Sequence, residues 1–319
     1  MKNFAIIGVG GYIAPRHMKA IKETGNRLIV ALDKNDSVGV IDSYFPEADF
    51  FTEFERFDRH VEKLRRNDEN GKVDYVSICS PNYLHDSHIR FSLRAGADSI
   101  CEKPIVLNPW NIDALQEIEK ETGRKINTIL QLRLHPSILE LKRLVTDQLR
   151  NNPDQKFDVE LTYLTSRGRW YHISWKGDVQ KSGGIATNIG VHFFDMLTYV
   201  FGPAIRNVCH VRTGDTAAGF LELKNARVRW FLSVNAEYLP DVARQNGQMT
   251  FRSIKVEGDE FEFSGGFTDL HTRSYEEILA GRGFGLNDVR ECIDIVHGFR
   301  NSPIANLAGD YHPYCQVVK

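Results

Sequence analysis

Short apolar runs rich in β-branched residues alternate with amphipathic stretches along the first half of the chain. Runs at residues 4–7, 28–32, 75–79, 99–101 and 126–130 predict strands, and apolar positions near i, i+3, i+4 and i+7 predict helices at 54–66, 87–95 and 111–122. Gly71, Gly96 and Gly123 stand where those helices should stop. Strand and helix in strict alternation imply a parallel sheet covered on both faces. After about residue 150 the pattern changes to longer strands of period two, at 157–165, 207–212, 219–224, 228–235, 249–257 and 260–263. Tight turns at 224–227 and 257–259 join neighbours, which predicts an open, mainly antiparallel sheet. Two helices go with it, at 186–200 before Gly202-Pro203 and at 286–300 before Pro303.

A chain of 319 residues exceeds the roughly 100 to 200 of one domain, in line with this change of texture. Apolar residues at 42% and charged residues at 26% are ordinary globular usage. No run reaches the roughly 20 apolar residues needed to cross a bilayer, so neither membrane insertion nor a membrane partner is expected. With 40 Lys and Arg against 42 Asp and Glu, the net charge of −2 offers no global attraction to nucleic acid. An anionic ligand must therefore be held locally. Five scattered cysteines lack metal-ligand or redox spacing and predict a reduced, cytoplasmic setting with no metal. The first residues lead straight into an apolar run, and no export signal is read there. The charge-rich stretch at 62–72, with Arg65, Arg66, Asp68 and Glu69, reads as a solvated helix end and loop.

Candidate chemistry starts at the first strand, where Gly8, Gly10, Gly11, Tyr12 and Ile13 lie between an apolar run and a helix. A tight turn at Gly8 and an open backbone at Gly10 suit a pyrophosphate at a helix N-terminus. Ile13 takes the place of the fingerprint's third glycine, and Gly11 can supply the close backbone approach instead. Asp33 ends the second strand, where a carboxylate accepts from an adenosine ribose and repels a 2′-phosphate, favouring NAD over NADP. The turn thus predicts a Rossmann dinucleotide-binding domain over 1–124 and an α+β domain for substrate and oligomer contacts over 125–319. Ser80, Pro81 and Asn82 fall at another strand end, followed by His85, and Glu102-Lys103-Pro104 at the next. A lysine so placed either reaches the ligand crevice, where partial burial tunes it for proton transfer, or lies on the surface. In the second half, Asn188, His192 and Asp195 share one face of an otherwise apolar helix, as a buried network or as a site. The basic, aromatic stretch with Arg167, Arg169, Tyr171, Trp175 and Lys176 is a candidate for an anionic substrate or an exposed loop. Arg133 and His135 follow a further strand end.

Gly8-x-Gly10, Pro81-Asn82 with His85, Glu102-Lys103-Pro104, Arg133 with Pro136, Trp175-Lys176 and the Gly183-Gly184 helix with His192 together resemble the Gfo/Idh/MocA oxidoreductases. The wording at 11–17, 78–85 and 186–190 is similar to the branch that oxidises UDP-N-acetylglucosaminuronate at C3′. The resemblance implies NAD in a crevice between domains, near Gln131, Trp175 and Lys176 as well as the turn residues. It places Lys103, His192 and Asn188 beside the sugar alcohol, with Lys103 or His192 as base. Many members have Asp at the position of Asn188. It further implies a 3-keto UDP-sugar product on the way to bacterial O-antigen, and a homo-oligomer, dimer or tetramer, paired through the open sheets. A dehydrogenase of a free sugar or cyclitol and a non-catalytic NAD(H)-binding protein are the alternatives.

Overall fold

The computed structural model describes residues 1–67, 71–261 and 269–318. Asp68 and Glu69 of the charged stretch, and the end of the strand predicted at 260–263, lie outside the described residues. The chain forms two compact units, Met1–Gln131 with Thr268–Arg290, and Leu132–Phe267 with Glu291–Lys319.

The first unit is built on β1 (Asn3–Ile7), β2 (Arg27–Leu32), β3 (Asp49–Phe51), β4 (Tyr75–Ile78), β5 (Asp98–Cys101) and β6 (Ile126–Thr128). All pair in parallel, in the order 3-2-1-4-5-6. β1 is buried along its whole length, which is why it reads as a continuous apolar run rather than an alternating one. Helices Ala14–Glu23, Phe54–Asn67, His85–Arg94 and Pro109–Thr122 connect the strands. β3 is only three residues long and leaves no periodic trace in the sequence.

The boundary expected at residue 124 moves, for two packing reasons. β6 extends the parallel sheet beside β5, with Ile126 and Thr128 buried. Residues 268–290 then return to this unit through the helix Leu270–Leu279, which buries Leu270, Tyr275 and Ile278 and sets the Tyr275 ring 5.8 Å from that of Phe4. That helix, and Pro136–Asn151 in the second unit, escaped the sequence pattern.

The second unit carries β7 (Phe157–Thr165), β8 (Ala204–Arg212), β9 (Thr216–Leu223), β10 (Ala226–Ser233), β11 (Thr250–Val256) and β12 (Asp259–Glu260) in the order 12-11-7-10-9-8. Its pairs are antiparallel except β7 with β10. Trp230 anchors the core with its ring 5.0 Å from Phe194 and 4.9 Å from Phe299. On the other face of β10, His312 and Tyr314 pack on Phe231, and the neighbouring Arg229 pairs with Asp158 at 3.2 Å. No helix among the described residues is long and apolar enough to cross a membrane.

Candidate functional site

In the first unit the predicted residues gather at the carboxyl ends of the parallel strands, where ligands bind in such sheets. The chain leaves β1 through a turn closed by Gly8 N–H donating to the Leu32 carbonyl at 2.8 Å and Gly11 N–H to the Gly8 carbonyl at 3.0 Å. Gly8 has φ +87°, and a Cβ there would lie 2.8 Å from the Cys79 carbonyl and from Ser80 N. A Cβ on Gly11 would lie 3.0 Å from the Gly8 oxygen and 3.4 Å from the Cys79 oxygen. Ile13 caps the helix that starts at Ala14 and packs on the core beneath, and Tyr12 is exposed. Gly10 N–H donates to Asp33 Oδ2 at 2.9 Å, and Asn35 N–H to Oδ1 at 3.0 Å, which ties the end of β2 to the turn. The glycine cradle, the helix start and this carboxylate fit a dinucleotide.

Beyond β4, Ser80 Oγ meets His88 Nδ1 at 2.9 Å, and the buried Asn82 opens a helical turn. His85 faces two carbonyls, Pro104 at 2.7 Å from Nδ1 and Ser80 at 2.8 Å from Nε2. Burial lowers its pKa, against the pull of those two acceptors. After β5 comes Glu102, whose Oε1 accepts from His17 Nε2 and His271 Nε2, both at 2.9 Å. Its Oε2 accepts from the Lys103 amide at 3.3 Å. Tyr275 Oη lies 2.7 Å from His17 Nδ1 and 2.6 Å from Ser77 Oγ, completing a buried chain. Burial pushes the Glu102 carboxyl up, but the two histidine hydrogen bonds outweigh it and hold the group well below the usual range. Burial lowers His17 and raises Tyr275 well above the ordinary tyrosine. Lys103 itself is partly exposed, and Gln131 Oε1 is buried without a hydrogen-bond partner, an acceptor left for a ligand donor.

Sequence reasoning missed His17, His271 and Tyr275. His17 sits one turn into the nucleotide-turn helix, and the other two lie 169 and 173 positions from Glu102, on the helix that the pattern did not predict. His17, Glu102 and His271 bring ligand-type atoms within 4.8 Å of one another, although their spacing in the chain is not that of a metal site. In this structure those atoms satisfy each other.

The second unit holds the other set. A π-helical turn, Ala186–Gly190, precedes the helix Val191–Phe201. Asn188 and His192 are partly exposed; Asn188 Nδ2 donates to Tyr171 Oη at 3.1 Å. Asp195 is buried and takes Arg133, with Nε at 3.1 Å from both carboxylate oxygens and Nη2 at 2.7 Å from Oδ1. The guanidinium also lies 5.0 Å from the Tyr199 ring centre. Arg133, read in the sequence as a cation for substrate, is therefore engaged in a structural ion pair, because a carboxylate buried at Asp195 demands one. His135 caps the helix Pro136–Asn151 by accepting from Ser137 N–H at 3.2 Å. In the basic stretch, Arg167 and Arg169 are exposed and Tyr171 is buried. Lys176 Nζ stands 4.4 Å from the Trp175 ring centre, and burial followed by Arg167 lowers its pKa.

Comparison with known proteins bears on both units. The description "Oxidoreductase family, NAD-binding Rossmann fold" matches residues 2–129, and "Oxidoreductase family, C-terminal alpha/beta domain" matches residues 155–251. Two solved structures of the WlbA (WbpB) dehydrogenase from Thermus thermophilus are similar with a TM-score of 0.93, covering 98% of this chain and 100% of theirs. One, 50% identical, is in complex with NAD and UDP-GlcNAcA, and the other, 51% identical, with NAD and alpha-ketoglutarate. D-glucoside 3-dehydrogenase of Escherichia coli (strain K12) is 33% identical over 43% of this chain. Inositol 2-dehydrogenase of Rhizobium meliloti (strain 1021) is 25% identical over 62%. The matches span 38% and 54% of the length of these two curated relatives. On both domain matches and on half-identical structures over almost its whole length, the chain belongs to the Gfo/Idh/MocA oxidoreductase family.

Proposed function

We propose that the chain is an NAD-dependent dehydrogenase that oxidises the C3′ hydroxyl of UDP-N-acetylglucosaminuronic acid to the 3-keto sugar. The observation that carries this reading is the half-identical Thermus thermophilus structure, matched end to end and holding NAD and UDP-GlcNAcA. Gly8, Gly10 and Gly11 with the helix from Ala14 would hold the pyrophosphate, Asp33 the adenosine ribose, and Ser80, Pro81, Asn82, His85, Glu102, Gln131, Trp175 and Lys176 the remainder of the dinucleotide. NAD, when bound, supplies the acceptor for the hydride that leaves C3′. Lys103 or His192 takes the hydroxyl proton, with Asn188 orienting the sugar through its position beside Tyr171. Arg167 and Arg169 are the exposed cations suited to the diphosphate and uronate.

The finer assignments are a cytoplasmic location, a dimer or tetramer, and a step toward a diacetylated amino-uronic acid of bacterial O-antigen. The complex of the Thermus protein with NAD and alpha-ketoglutarate supports reoxidation of NADH in place by a 2-keto acid. The test incubates purified protein with NAD and, in parallel, UDP-N-acetylglucosaminuronic acid, free inositol and glucose, and reads products by mass. A 3-keto product from the UDP-uronate alone is expected. Turnover of a free sugar or cyclitol without turnover of the UDP-uronate would overturn the assignment.

A further inference from the structure

Lys103 is bracketed by histidines that the reaction chemistry does not use. On one side, the Glu102 carboxylate accepts from His17 and His271 at 2.9 Å each and from the Lys103 amide at 3.3 Å. On the other, the Pro104 carbonyl accepts from His85 at 2.7 Å. The histidines come from three separate helices, beginning at Ala14, His85 and Leu270, so the turn that presents Lys103 is pinned from several directions.

The hydrogen-bond order on the Glu102 side is directional. If Ser77 donates to Tyr275, the tyrosine hydroxyl donates to His17 Nδ1, which leaves His17 Nε2–H to donate to Glu102. His271 Nε2–H donates to the same oxygen. Two imidazole N–H groups and one amide N–H thus hold a single buried negative charge. A brace made only for stability would be as good or better with apolar side chains at these positions. A carboxylate fixed by three donors instead fixes the main chain of the next residue. The titratable groups facing Glu102 are His17, His271, Tyr275, His85, Cys79 and Cys101, and the charged neighbour in sequence is Lys103.

We propose that His17 and His271 are positioning residues for Lys103, acting through Glu102, with Tyr275 and Ser77 setting the tautomer of His17. The inference rests on the reading of Lys103 as a substrate-side group.

The experiment compares His271→Leu with His271→Gln, which keeps an N–H donor, in two readouts on the full chain. The first is the pH profile of kcat, with KM for NAD, on UDP-N-acetylglucosaminuronic acid. The second is the titration of Lys103 followed by NMR after reductive 13C-methylation, its resonance assigned with Lys103→Arg. His271→Leu should lower kcat about 10- to 100-fold with KM for NAD within about twofold, and His271→Gln should recover most of the loss. The Lys103 midpoint should move by about half a pH unit or more in His271→Leu. A folded His271→Leu with kcat within about twofold of the parent and an unmoved Lys103 resonance would overturn the proposal. Should that variant fail to fold, Tyr275→Phe removes only the hydroxyl that orders His17, and the same two readouts decide with a smaller expected change. If the parent protein does not turn over the UDP-uronate, the functional reading fails on its own, and the Lys103 resonance still decides the positioning role.

Discussion

Arg133 grips Asp195 with two nitrogens, Nε at 3.1 Å from both carboxylate oxygens and Nη2 at 2.7 Å from Oδ1, and both side chains are buried. Removing one partner strands the other's charge away from water. Arg133→Met should therefore destabilise the protein by about 3–5 kcal/mol, whereas the double change Arg133→Met with Asp195→Leu should recover much of it. Denaturant unfolding midpoints check this. A single variant as stable as the parent would show that the pair contributes nothing to folding.

Gly8 combines a left-handed backbone with a site that has no room for a methyl group. Gly8→Ala should cost about 1–3 kcal/mol of stability and abolish the thermal shift produced by NAD. Gly25 has φ +72° and nothing within 4 Å of its missing Cβ, so Gly25→Ala carries the backbone cost without the clash. That variant should keep the full NAD-induced shift. Equal loss of the shift in both would separate NAD binding from the turn's shape.

Asp33 holds the Gly10 amide and faces the place a ribose would occupy in such a turn. Asp33→Asn preserves shape but removes charge, so NADH binding should weaken about tenfold and the preference over NADPH should narrow. Fluorescence titration with the two reduced cofactors measures both. An unchanged preference would remove Asp33 from the choice of cofactor.

His312 is buried as the neutral imidazole, accepting from Tyr314 N–H at 3.2 Å and meeting Thr162 Oγ1 at 2.8 Å. Burial, then Arg229 and Lys255, push its pKa down to about 3, and burial followed by His85 pushes His88 down to about 4. Below the ordinary value of 6.5 the unfolded chain takes up protons that the folded state refuses, so stability falls as pH falls. Each such histidine should contribute about 1.4 kcal/mol per pH unit between about pH 6 and its folded value. His312→Gln should flatten the slope of stability against pH from 6 to 4 by roughly one proton, read from urea unfolding at several pH values. An unchanged slope would mean that His312 is protonated in the folded protein.

The layered half of the fold was legible because its strands are short, apolar and separated by periodic helices. β3 and the helices Pro136–Asn151 and Leu270–Leu279 were not. The first is three residues long. The others do carry a helical period, burying Ile138, Leu141 and Val145 and Leu270, Ser274 and Ile278, but they fall outside the strand–helix alternation that made the rest legible. The residues at the strand ends, from Gly8 to Lys103, were readable because each follows its strand directly. The supports of Lys103 were not, since His17 and His271 meet Glu102 only through tertiary packing. Arg133 shows the opposite failure, where a cation near a strand end looked available until the fold supplied Asp195.

The return of residues 268–290 to the first unit has a consequence for how that unit can be made or borrowed. The first 131 residues are not a transferable cassette. Cut there, the fragment would lack Tyr275 and His271, leaving Phe4 stacked on Tyr75 alone and Glu102 with one imidazole instead of two. During synthesis the same gap persists until well after the second sheet has been made. Only a piece that also carries the helix Leu270–Leu279 would give the lysine turn all its supports.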